Sequence, residues 1–155
     1  MTVRMAASPR PTGAGAQVVD GDVFRLLIDM EIQKAQRLRY LFSVICVHVE
    51  AETAIPDVGA AARLLASTIR STDAVTARDA STVALLLIDA DASSLPAILQ
   101  RLEGAALEAV PWSAGAACYP QTAASAEELL SQAAAMMARA RRDGGRRFYI
   151  PSTIS

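Results

Sequence analysis

The amino-acid sequence predicts an α+β domain, with one mixed β-sheet of about five strands and helices packed against it. Three observations carry this expectation. Between Arg70 and Asp91 lie two short strand patterns separated by the polar turn Arg78-Asp79-Ala80-Ser81, which makes a hairpin in mid-chain. Apolar stripes at helical spacing flank that hairpin on both sides. Helix and strand patterns also alternate along the chain in the order α-β-α-β-β-α-β-α-β, as expected of a sheet covered by helices.

The chain has 155 residues, 52% of them hydrophobic, and a mean hydropathy of +0.27, which suits one compact domain with an ample core. Its formal net charge of -1 gives no global attraction to DNA or acidic membranes, so any anion binding must be local. Residues 1–22 are rich in Ala, Gly, Pro and Thr without periodicity and read as a disordered tail. Residues 23–151 then form the domain, and 152–155 a second short tail. Arg4 is followed by no continuous apolar segment, and no stretch reaches the roughly 18 apolar residues of a membrane span. The expectation is a cytoplasmic protein. Cys46, Cys118 and the single His48 show neither CxxC spacing nor a Cys/His cluster, so no metal or cofactor is expected. The two thiols read as small core hydrophobes.

The elements follow in order. A first helix is expected from about Val23 to Tyr40, with Val23, Leu26, Leu27 and Met30 on its apolar face and Glu31, Lys34, Arg37 and Arg39 on its wet side. Phe42 to Val49 is β-branched and aromatic, a strand. Asp57 opens a helix with Val58, Ala61, Leu64, Leu65 and Ile69 at helical spacing. Asp73–Ala77 and Thr82–Ile88 form the hairpin. Ser93-Ser94 with Pro96 begins the next helix, whose stripe is Leu95, Ile98, Leu99 and Leu102. Val110 to Tyr119 is a strand stopped by Pro120. Ser125-Ala-Glu-Glu128 fits a capping box ahead of a helix carrying Leu129, Leu130, Ala133, Met136, Met137 and Ala140 inward. Asp143-Gly144-Gly145 ends it, and Arg146 to Ile150 is a closing strand. The arrangement is similar to ferredoxin-like sandwiches.

These residues also carry a family resemblance. The chain resembles the GGDEF domain of diguanylate cyclases from about Leu26 to Ile150. Glu31 to Arg37 before Phe42-Ser43-Val44 is similar to the family's Glu/Ala/Arg helix leading into its first strand. Ser113-Ala114-Gly115-Ala116-Ala117-Cys118-Tyr119-Pro120, Ser125 to Leu130, and Ala140-Arg141-Arg142-Asp143-Gly144 are similar to its Ser-x-Gly-x-Ala…Tyr-Pro, Glu-Leu-Leu and Ala-Lys-x-x-Gly runs. The resemblance implies a GGDEF, nucleotide-cyclase-like sandwich.

The same resemblance implies that the chemistry is altered. Aligned without a gap, the Gly-Gly-Asp-Glu-Phe signature falls on Asp79-Ala80-Ser81-Thr82-Val83. The glycines that let backbone approach a nucleotide are replaced, and Asp79 would repel a triphosphate. The metal-binding carboxylates fall on Ser81 and His48, poor ligands for magnesium, with Glu50 keeping one carboxylate nearby. The segment between Glu50 and Arg70 is shorter than the family's guanine-binding stretch, and the chain contains no Asn to read that base. Phosphoryl transfer rests on positioning and charge neutralisation, so a degenerate domain that is not an enzyme is expected.

One other family motif is matched. Arg70-Ser71-Thr72-Asp73 corresponds to the family's Arg-x-x-Asp inhibitory site for cyclic di-GMP, and Arg101 to a second arginine of that site. Arginine forks suit phosphate or guanine, and a carboxylate can accept from guanine N–H groups. An Arg three residues before an Asp at a helix end is equally a common solvated ion pair contributing ~0–1 kcal/mol. Arg141 falls on a phosphate-contacting Lys of the family, although Arg139, Arg141, Arg142, Arg146 and Arg147 also suit a basic helix end. His48 is expected to be a strand-end residue with a hydrogen-bond partner, and Trp112 and Phe148 core or edge packing. Two functions stay open: a cyclic di-GMP receptor using Arg70, Asp73 and Arg101, or an interaction scaffold of the same fold for a protein partner or a second copy.

Overall fold

The computed structural model of the chain describes residues 15–50, 57–70, 72–104 and 111–151. Among these, the elements run β1 (Gln17–Val18), α1 (Gly21–Leu38), β2 (Phe42–Val49), α2 (Val58–Ala66), β3 (Ala74–Ala77), β4 (Thr82–Ile88), α3 (Leu95–Leu102), β5 (Trp112–Tyr119), α4 (Ala126–Arg142) and β6 (Phe148–Tyr149). They form one mixed six-stranded sheet in the order β1-β3-β4-β2-β5-β6. The central strands pair antiparallel, and each edge strand pairs parallel with its neighbour. The fold is the α+β sandwich expected.

β2 is buried along its whole length because both faces of the sheet are covered. Ile45, Val47 and Val49 face a core shared with Leu65 of α2 and Leu95, Leu99 and Leu102 of α3. Phe42, Val44 and Cys46 face a second core with Phe24 and Ile28 of α1 and Leu129 and Ala133 of α4. Each fully buried Leu, Ile or Phe side chain contributes ~1.5–3 kcal/mol relative to exposure. The 74–88 hairpin pairs Ala77 with Val83 and Ala74 with Leu86.

Helix starts follow the sequence signals. Asp57 accepts from the Ala60 N–H at 2.7 Å, and Ser125 accepts from the Glu128 N–H at 3.1 Å, each an N-cap. The first helix starts earlier than expected, because Asp20 caps it by accepting from the Val23 N–H at 2.9 Å.

Four expectations are corrected. Of the stretch read as a tail, the described residues 15–22 are structured: Gln17 and Val18 pair with Ala74 and Val75. Gly15 packs so closely on the end of α2 that a Cβ there would lie 1.8 Å from the Ala66 carbonyl oxygen. Residues 1–14 and 152–155 lie outside the described residues. α1 buries Phe24, Ile28, Glu31 and Ala35, while Val23, Leu26 and Met30 are 40%, 56% and 49% exposed. The helix has two apolar faces, and the aromatic one docks on the sheet. Glu31, expected in water, is buried because Tyr40 donates its hydroxyl to it and Lys34 lies 3.4 Å away. The closing strand is also shorter than expected, only Phe148–Tyr149.

Candidate functional site

Arg70, Asp73 and Arg101 come together. The loop from α2 to β3 carries Arg70 and Asp73, and the last turn of α3 brings Arg101 to the same cavity of about 240 Å³. Asp73 is only 4% exposed. Its Oδ1 accepts from the Ile88 N–H at 2.8 Å and its Oδ2 from the Arg70 N–H at 3.2 Å. Arg70 Nε lies 3.7 Å from the same Oδ2, and the guanidinium also donates to the Ile88 carbonyl. Burial pushes the Asp73 carboxyl above its ordinary range, opposed by those bonds and by the Arg70 charge.

Asp73 is therefore an anchor. It ties the 70–73 loop to the end of β4 and sets the direction of Arg70, whose side chain stays 57% exposed. Arg101 is exposed as well. Two guanidinium groups over a half-open cavity suit a phosphate, the chemistry for which arginine forks are best shaped.

Sequence reasoning missed Asp89, Ser94 and Ile98, which line the same cavity. Asp89 sits in the left-handed region at φ 63°, just past β4. An Asp ending an apolar run was visible in the sequence, but its backbone conformation was not.

The second neighbourhood is the one where the family signature aligns. His48 pairs with Thr82 on one side and Ser113 on the other, at the end of β2. Its Nε2 lies 3.2 Å from Glu50 Oε2, and Arg141 Nε donates to that same oxygen at 3.1 Å. The Arg141 bond, with the His48 and Arg141 charges, holds the Glu50 carboxyl below its usual range against a smaller burial effect. Asp79 is turned onto its own loop, accepting from the Ser81 N–H at 2.9 Å, which lowers its carboxyl too. Among the described residues no three His, Cys, Asp or Glu side chains cluster as a metal site. His48, Ser81 and an arginine-bound Glu50 do not fit a hard cation such as magnesium. Residues 51–56, in the shortened stretch, lie outside the described residues.

Cys46 and Cys118 are buried free thiols, as expected. Among the described residues no helix is long and apolar enough to cross a membrane.

Comparison with known proteins places this geometry. No family model and no curated relative match the sequence. Solved structures do. The chain is similar to the GGDEF domain of YfiN from Pseudomonas aeruginosa, at 16% identity and a TM-score of 0.75, covering 88% of this chain and 98% of that one. It is also similar to the GGDEF domain of DgcB from Caulobacter crescentus, a structure in complex with cyclic di-GMP, at 14% identity and a TM-score of 0.69, covering 100% and 98%. A third is diguanylate cyclase SiaD from Pseudomonas aeruginosa in complex with its activator SiaC, at 17% identity and a TM-score of 0.73, covering 85% and 58%. With the hairpin, the strand order and these likenesses together, the chain folds as a GGDEF-like domain.

Proposed function

We propose that this chain is a signalling module that binds cyclic di-GMP without making it. The observation that carries the binding half is the convergence of Arg70, Asp73 and Arg101, from two separate elements, on one cavity. The complex of the similar DgcB domain with cyclic di-GMP supports that ligand class. In this reading the two guanidinium groups take phosphate or guanine oxygens, and Asp73 holds Arg70 in place. Loss of cyclase chemistry rests on Asp79, Ser81 and His48 at the signature and metal positions, and on Glu50 being held by Arg141.

The test is calorimetric titration with cyclic di-GMP, beside Arg70→Ala and Arg101→Ala, with GTP plus magnesium as the control. Each charge-assisted contact is worth ~1.5–3 kcal/mol, so each variant is expected to weaken binding by roughly tenfold or more. Turnover of GTP to cyclic di-GMP would overturn the non-enzyme half. Absence of cyclic di-GMP heat would overturn the receptor half.

A second reading, an interaction scaffold independent of nucleotide, is favoured by one observation. Val23, Leu26, Met30 and Leu38 leave an apolar stripe on the outside of α1, with Leu38 64% exposed. The SiaD complex with a protein activator supports this class of role. A protein partner or a second copy on that stripe would require no ligand.

A further inference from the structure

We infer that the chain has a second binding site, on the opposite side of α3, for a small carboxylate borne on an apolar ring. It does not depend on the cyclic di-GMP reading. α3 is a wall between two cavities. Ser94, Ile98 and Arg101 face the first, while Leu99, Gln100 and Glu103, about half a turn away around the helix, face a second of about 300 Å³. That volume is at the lower end of the ~300–1,000 Å³ of small-molecule sites.

The far wall is built by an unusual piece of backbone. Gly144, Gly145 and Arg146 take consecutive positive φ values of 116°, 76° and 52°. A non-glycine residue there is strained, and such strain persists where the surroundings hold it. Here β5 holds it: the Arg146 N–H donates to the Trp112 carbonyl at 2.6 Å, and the Arg147 carbonyl accepts from the Ala114 N–H at 3.1 Å. The result brings Arg146 and Arg147, both exposed, to the cavity edge. Among the described residues Arg147 Nε donates to the Gly145 carbonyl, at 3.3 Å, and neither guanidinium has a carboxylate partner.

The other groups complete the preference. Trp112 is 5% exposed, and among the described residues its indole N–H has no acceptor. Pro96, Leu99 and Phe148 supply apolar surface. Among the described residues Glu103 is the one acidic group on the lining, against two guanidinium charges, so the local balance favours an anion. A bare inorganic anion would leave the apolar wall uncovered, and a neutral ring would leave the arginines unpaired.

Trp112 is the only tryptophan in the chain, so it reports on its own site. The experiment titrates the full chain with cyclohexanecarboxylate, which does not absorb where tryptophan is excited, and follows indole emission and the single indole N–H resonance. Cyclohexylmethanol and inorganic phosphate are the controls. A saturable emission change with movement of the indole resonance is expected. It should weaken by roughly tenfold or more in the Arg146→Ala/Arg147→Ala double variant, and be unchanged in Arg70→Ala. No saturable response, an equal response to cyclohexylmethanol or to phosphate, or an unaltered response in the double variant would each overturn the site. Should the double variant unfold, Arg147→Gln removes the charge while keeping a polar side chain and applies the same criterion.

Discussion

Arg141 Nε donates to Glu50 Oε2 at 3.1 Å, tying the last turn of α4 to the residue just past β2 across 91 positions of sequence. The contact seats a positive charge on a carboxylate at the end of β2, beside His48. It has a titration signature. The Glu50 carboxyl is held below its ordinary range chiefly by Arg141, so in Arg141→Ala its midpoint should rise toward that range, read by NMR of the Glu50 side chain. A depressed folded value contributes stability above the unfolded midpoint, near 4.5, and loses it as pH falls through the folded one. Both groups are partly exposed, so screening keeps the stability change below ~1 kcal/mol.

The two faces of α1 can be told apart by substitution. Ile28 is fully buried against β2 and α4, so Ile28→Ala should cost ~2–5 kcal/mol in denaturant unfolding. Leu26 is 56% exposed, and Leu26→Glu should move stability by no more than ~0.5 kcal/mol. If the faces were reversed, the two values would exchange. The Leu26→Glu variant also probes the scaffold reading, because it places a charge on the open stripe while leaving the core intact.

Gly115 lies on β5 under α4, where a Cβ would come within 2.1 Å of the Met137 backbone N and 2.4 Å of the Ala133 carbonyl oxygen. Neither atom can turn aside as a side-chain tip can. Gly115→Ala should therefore push α4 off the sheet and cost more than ~2 kcal/mol, visible as a lowered urea midpoint.

Neither cysteine should react in the folded protein. Burial pushes the Cys46 thiol up to about 11, against a smaller opposing effect of Arg78. The Cys118 thiol is raised by burial as well, while Ser43 Oγ lies 3.3 Å from its sulfur. With so little thiolate near neutral pH, a thiol-specific chromogenic reagent at pH 8 should titrate both groups only after denaturant is added.

Much of the architecture was legible in the sequence because it depends on local signals. The continuous apolar runs 42–49 and 82–88, the caps Asp57 and Ser125, and the polar turn at 78–81 each act over a few residues, and their order implies the sandwich. The candidate residues Arg70, Asp73, Arg101, His48 and Asp79 could be named from the sequence because they are identities read at positions, while only the structure brings Arg70, Asp73 and Arg101 to one cavity. The choice of α1 face was not, because the helix is apolar on two sides and only the shape of the sheet selects Phe24 and Ile28. β1 was missed because two residues of strand have no periodicity of their own, and their hydrogen bonds come from the edge of β3. Tertiary structure alone decided that Asp73 turns both oxygens to backbone N–H groups, that Glu50 meets Arg141, and that α3 divides two cavities. Those are distances between residues far apart in sequence, set by how helices seat on a sheet, and a linear pattern carries no record of them.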